Sequence, residues 1–108
     1  MRNSAVHHLD ESNCGQQDNV RSGDTLIVCL QGTGGSGYQW EQAEVDPSVL
    51  RPARAPVEGD GGPGAPETYI FTFDAAGPGR TTLLLVYHRP SEGDAPPAKE
   101  CRVTVTVR

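Results

Sequence analysis

The chain has 108 residues and a net charge of −5, with 9 Lys+Arg against 14 Asp+Glu; this is the length of one domain and argues against nucleic acid, which needs a positive surface to displace phosphate counterions, and against a polybasic membrane patch. Thirteen Gly and nine Pro beside 35% apolar residues point to short strands and long turns rather than helical repeats. A chain of this size buries roughly two-thirds of its unfolded surface, enough for a core without metal or dense disulfides.

Met1 to Ser12 are polar and aperiodic and lack the apolar stretch of a signal peptide. They predict a mobile or edge segment over 1–12, with His7 and His8 solvated, and a single domain over 13–108. The location expected is cytoplasmic, or periplasmic or secreted if a signal peptide has been removed. No apolar run long enough to span a bilayer follows. Cys14, Cys29 and Cys101 fit either one disulfide with a free thiol or three thiols. No Cys/His cluster at metal spacing exists, so neither a metal nor a cofactor is expected.

After a turn at R-S-G-D, period-2 alternation dominates. In D-T-L-I-V-C-L the residues Leu26, Val28 and Leu30 share one face, opposite Thr25, Ile27 and Cys29. A glycine run then leads into Tyr38 and Trp40, which share a face of the next strand. Asp46 to Pro52 predicts at most one helical turn, ended by Pro52. Arg51 to Glu67, with four prolines and four glycines, reads as a connection much longer than a hairpin needs. In T-Y-I-F-T-F the inward set is Tyr69, Phe71 and Phe73. After A-A-G-P-G comes a strand with Leu83, Leu85 and Tyr87 on one face. Arg89 to Ala98 reads as a second long connection. The chain closes on Cys101, Val103, Val105 and Val107, alternating with Arg102, Thr104 and Thr106. Half-buried antiparallel strands between Gly/Pro turns make a β-sandwich or barrel.

No catalytic constellation accompanies this frame. His88 ends a strand and reads as a surface residue. Ser36 lies in G-G-S-G, which misses the G-x-S-x-G spacing and the strand-to-helix setting of a hydrolase elbow. The same glycines lack the Lys and helix of a phosphate-binding loop. Glu58, Asp60 and Glu67 flank a Gly/Pro loop and read as solvated carboxylates, with only a faint likeness to a calcium loop. Loops held by rigid strands are instead the usual makings of a binding edge.

The order of features carries a family likeness. A Gly-rich loop closes on Gly37-Tyr38-x-Trp40, a second Gly-rich connection follows, an aromatic strand ends D-A-A-G, and another ends Tyr87-x-Arg89-Pro90. From Gly15 to the C-terminus the chain resembles the chagasin family of protein inhibitors of papain-like cysteine peptidases. S-G-D-T-L-I-V-C-L resembles the start of the family's second strand, and S-G-Y-Q-W the T-G-[YF]-x-W end of its first inhibitory loop. The resemblance implies an all-β, immunoglobulin-like antiparallel β-sandwich of about eight strands. It also implies three loops at one end that occlude the peptidase cleft without being cut. The family's N-P-T-T-G falls on Thr33, Gly34, Gly35, Ser36 and Gly37, of which Ser36 and Gly37 keep its chemistry. Its G-x-G-G falls on Gly62, Pro63, Gly64 and Ala65, and its R-P-W on Arg89, Pro90 and Ser91, where Ser replaces a Trp of the kind that contributes about 2 kcal/mol or more at an interface.

The function expected is therefore reversible, non-covalent inhibition of a papain-like cysteine peptidase by a monomer that is not an enzyme. Arg89 would offer charge-assisted hydrogen bonds to the cleft rim or pair with a carboxylate of its own chain. The alternative is an immunoglobulin-like binding or adhesion module with a different protein partner. It draws on Leu83 to Val86, apolar on both faces, where either a second layer covers the strand or Leu84 and Val86 form an exposed patch.

Overall fold

The long alternating segments form the strands that their patterning predicts. The computed structural model describes residues 4–33, 36–59, 66–92 and 95–108, of which 54–59 and 66 by backbone alone. Strands β1 (Val6–Leu9), β3 (Thr25–Thr33), β6 (Pro66–Ala75) and β5 (Leu50–Gly59) make one sheet in that spatial order. Strands β2 (Gln17–Val20), β8 (Lys99–Val107), β7 (Gly79–His88) and β4 (Gln39–Glu44) make the other. The inward rows face each other between the sheets. Leu26, Val28 and Leu30 lie opposite Phe73, Phe71 and Tyr69 in the β3–β6 ladder, and Leu83 and Leu85 opposite Val103 and Cys101 in the β7–β8 ladder. All are buried in one core with Trp40, Leu50 and Tyr87. Each such side chain is worth about 1.5–3 kcal/mol when buried. A slip of one residue would turn the whole row to solvent, so these rows fix the register.

The edges differ from the sequence reading. The sandwich is antiparallel except at β1–β3 and β2–β8, which are parallel. The N-terminal chain runs up beside β3, crosses between the sheets through the short turn Glu11–Asn13, and runs back beside β8. Arg51 to Gly59, expected to be loop, belongs to β5. Pro52 does not end anything: it lies within this edge strand opposite Phe73, beside two register shifts. An edge strand tolerates prolines because one side of its backbone has no ladder to feed. The single turn at Asp46 does form, closed by the Val49 and Leu50 N–H groups donating to the Asp46 carbonyl at 3.0 and 2.9 Å. The apolar patch expected at Leu84 and Val86 is absent. Leu84 is 8% exposed, flanked in the ladder by Glu44 and Arg102, and Val86 is half-buried. Among the described residues, Val6 is the only exposed large hydrophobic side chain.

Two devices tie the N-terminal segment down. Cys14, just after the crossing turn, is bonded to Cys101 of β8, which leaves Cys29 as the free thiol on the outward face of β3. At the other end of the sandwich the buried Asp24 carboxylate accepts from the Ala5 N–H at 3.0 Å and the Arg21 N–H at 2.9 Å, and bonds His7 Nε2 at 3.0 Å. His7 is thus half-buried and partnered, not solvated as the sequence suggests. These bonds, the Ala5 N–H foremost, hold the Asp24 carboxyl well below the usual carboxylate range. A depressed folded-state pKa stabilises the fold above the unfolded value, and this contribution is lost as pH falls toward the folded one. Unfolding followed in urea should show stability falling on acidification below about pH 4, and Asp24→Asn should be less stable at neutral pH with a flatter acid limb. An unchanged acid limb in that variant would remove Asp24 as its cause.

Candidate functional site

The ladders bring the three singled-out connections to one end of the sandwich. Thr33, at the end of β3, pairs with Pro66 at the start of β6. Gln39, opening β4, pairs with His88, closing β7, and Tyr87 pairs with Lys99, opening β8. Gly59 of β5 pairs with Thr68 of β6. The first connection therefore leaves at Thr33 and returns at Tyr38, the second joins β5 to β6, and the third joins β7 to β8, and the strand ends that carry all three lie at the same edge.

Beneath the first and third lies an aromatic platform centred on Tyr87. Its ring centroid is 5.3 Å from that of Tyr38 and 5.2 Å from that of Trp40, distances at which ring pairs add to plain burial. The Lys99 ammonium sits 5.5 Å from the same ring. The Tyr87 hydroxyl accepts from the Thr33 N–H at 2.9 Å, where the first connection leaves β3. Trp40 Nε1 donates to the Gln31 carbonyl at 3.0 Å, and the Gln31 N–H donates to the Glu11 carboxylate at 3.0 Å. Trp40 is buried within β4, while Tyr38, expected in the same strand, lies one residue before it and packs half-buried against the core, so both act from below the edge.

Of the predicted contact residues, Thr33 is exposed at the strand end. Ser36 Oγ donates to the Thr33 carbonyl at 2.8 Å and accepts from the Tyr38 N–H at 3.2 Å. A hydroxyl spent on local backbone in this way is not poised as a nucleophile, which removes the hydrolase reading of Ser36. Gly37 has φ +84, a conformation that glycine adopts without strain. Arg89 Nε donates to the Ser36 carbonyl at 3.3 Å, Arg89 Nη1 to Glu92 Oε2 at 2.9 Å, and the guanidinium stands 4.7 Å from the Tyr38 ring centroid. Glu92 is the main cause of a guanidinium pKa raised further above its ordinary value. Pro90 and Ser91 form, with Glu92, an exposed single turn. Gly34, Gly35, Gly62, Pro63, Gly64 and Ala65 lie outside the described residues.

Other expected features fall elsewhere. Glu67 accepts from the Tyr69 hydroxyl at 3.3 Å. His88, expected at the surface, is half-buried, and its Nε2 lies 3.3 Å from Glu41 Oε2 without making a hydrogen bond to it. Among the described residues no cluster of three or more His, Cys, Asp or Glu could hold a metal ion. Between the first and third connections Tyr38, His88, Arg89, Glu92, Ala95 and Pro96 line a dent of about 20 Å³, which has room for a water and not for a substrate.

Gly32, which in the sequence only precedes the glycine run, lies inside β3. A Cβ there would stand 3.0 Å from a Tyr69 ring carbon and 3.1 Å from one of Tyr87. It is the hollow into which both rings pack, a role invisible in a sequence that shows only one more glycine in a run. Gly32→Ala should cost about 1–3 kcal/mol through overpacking, read as a lower midpoint in urea. A midpoint at the wild-type value would show that the rings yield freely.

A family model described as Chagasin family peptidase inhibitor I42 matches residues 19–107. Among solved structures, the cysteine protease inhibitor EhICP2 of Entamoeba histolytica superposes with a TM-score of 0.85 at 20% identity, covering 100% of both chains. Amebosin superposes with a TM-score of 0.73 at 22% identity, over 99% of this chain and 100% of its own. PbICP-C, solved in complex with falcipain-2, superposes with a TM-score of 0.71 at 19% identity, over 94% of this chain and 99% of its own. No curated protein matches the sequence. At these identities the structural likeness carries the fold, which is the immunoglobulin-like sandwich of these inhibitors.

Proposed function

The chain belongs to the chagasin family of peptidase inhibitors, and we propose that it reversibly and non-covalently inhibits papain-like cysteine peptidases by filling their cleft with the three connections at one end of the sandwich. As a family member it is an inhibitor and not an enzyme. The observation that carries the mode of action is the bracing of that edge: the Tyr87 hydroxyl and the Arg89 side chain hold the first connection to the strands and to the third. A wedge ordered before binding loses less entropy on entering a cleft, and glycines let its main chain come close to the catalytic groups. PbICP-C, with the same fold, was solved bound to falcipain-2, which supports a peptidase as the partner.

Contacts are assigned to Thr33, Gly34, Gly35, Ser36 and Gly37 in the first connection, to Gly62, Pro63, Gly64 and Ala65 in the second, and to Arg89, Pro90 and Ser91 in the third. The protein acts as a monomer. The Cys14–Cys101 bond favours an oxidising compartment, periplasmic or extracellular, over a reducing one. Competition tests the mode of action. Immobilised protein should capture active papain and fail to capture papain whose cleft is filled by a covalent peptidyl inhibitor. Equal capture of both forms would place the contact outside the cleft and end this reading.

A further inference from the structure

We propose that Arg89, besides standing among the contacts assigned above, is a positioning residue of the binding edge: it clamps the first connection to the third. Two of its five N–H donors and one face of its plane are engaged within the chain. Nε donates to the Ser36 carbonyl at 3.3 Å, and Nη1 donates to Glu92 at 2.9 Å. The guanidinium plane rests over Tyr38, 4.7 Å from the ring centroid. Gly37 lies directly beneath this side chain, where a Cβ would meet Arg89 Nε in ordinary contact at 3.6 Å, and it is the φ of +84 rather than space that calls for glycine there. One side chain therefore holds the carbonyl before Gly37, the ring after it, and the turn that follows β7.

The need for such a clamp follows from the sequence. The first connection reads Thr-Gly-Gly-Ser-Gly, and a glycine-rich segment has more freedom to lose than one stiffened by proline. Here the stiffness is supplied from outside, by an arginine on a neighbouring strand end whose own position is set by Glu92. The guanidinium fork is the group suited to this. Its donors are fixed in one plane, so holding two acceptors and a ring together costs little further order, which a lysine ammonium cannot match. The consequence for affinity rests on the inhibitor reading above, but the clamp itself is measurable without any peptidase.

The test uses the full chain as wild type, Arg89→Ala, Arg89→Lys and Glu92→Gln, with backbone ¹⁵N order parameters for Ser36, Gly37 and Tyr38. In the wild type these should approach the rigid value of about 0.85, and in Arg89→Ala they should fall below about 0.6. Arg89→Lys should not restore them. Glu92→Gln, which leaves the first connection itself untouched, should lower them partway, a transfer that no role at a peptidase surface would produce. Inhibition constants against papain should weaken in the same order, by roughly three- to tenfold for Arg89→Ala, with unchanged melting temperature. Order parameters at the wild-type value in Arg89→Ala overturn the clamp. Wild-type protein that leaves papain active overturns the inhibitor reading instead, while the order parameters still decide the clamp.

Discussion

Replacing Tyr87 by Ala is expected to destabilise the protein by about 3–5 kcal/mol, the cost of removing a large buried ring, and to release the first connection from the sandwich. Tyr87 is 6% exposed and is the shared neighbour of Tyr38 and Trp40. Its loss would leave a cavity between strands β4 and β7 and take away the partner of both rings. A second variant separates packing from anchoring. Tyr87→Phe keeps the ring and removes only the hydroxyl that accepts from the Thr33 N–H, a loss worth about 0.5–1.5 kcal/mol. Urea unfolding should rank wild type, Phe and Ala in that order. Amide exchange should show the Thr33 N–H losing protection in the Phe variant while the β7–β8 ladder keeps its own. If Tyr87→Phe leaves Thr33 as protected as before, the hydroxyl does not anchor the connection.

Opening the Cys14–Cys101 bond should have an effect of similar size. The two residues are 87 apart in sequence, and closing so long a loop restrains the unfolded chain by about 4–5 kcal/mol in the loop-entropy account. The native chain has a further stake in it. The bond fixes the crossing segment between the sheets, and Glu11 of that segment accepts from the Gln31 N–H, whose residue in turn holds Trp40 Nε1. The Cys14→Ala/Cys101→Ala variant, or reduced wild type, should unfold at a markedly lower urea concentration, with Gln31 among the first amides to lose protection. Unfolded, unreduced protein should react with a thiol reagent at Cys29 alone. Reaction at all three cysteines would contradict the bond.

What the sequence makes legible depends on how each part is held. Strands β3, β6 and β8 carry their inward rows in plain alternation, because each packs one face on the core and turns the other outward, and β7 does so except where Leu84 is buried on its outer face as well. β1 and β2 have four residues each, too few for a period to register, and owe their pairing to the crossing turn and to Asp24. β5 is concealed by its prolines, which an edge position permits. The disulfide is half legible. Cys101 lies in phase with the inward valines and Cys29 does not, but nothing local marks Cys14 as the partner. At the site, Trp40 is readable as an anchor from strand parity, and Tyr38 keeps the same inward side although it lies just before β4. The chain from Thr33 to Tyr87 and from Ser36 to Arg89 spans more than 50 residues of sequence, and only the folded arrangement joins them. Glu92 is absent from the sequence reading for the same reason: its importance lies in orienting Arg89.

Titration of thiol-activated papain is the most direct measurement of whether this edge blocks a peptidase. The activating reductant should be removed first, since it would also open the Cys14–Cys101 bond. Folded protein at micromolar concentration should abolish hydrolysis of a peptide substrate stoichiometrically, with activity restored on dilution and the chain recovered at full length. Papain and related peptidases left fully active by folded protein, or a chain cleaved as activity returns, would contradict it.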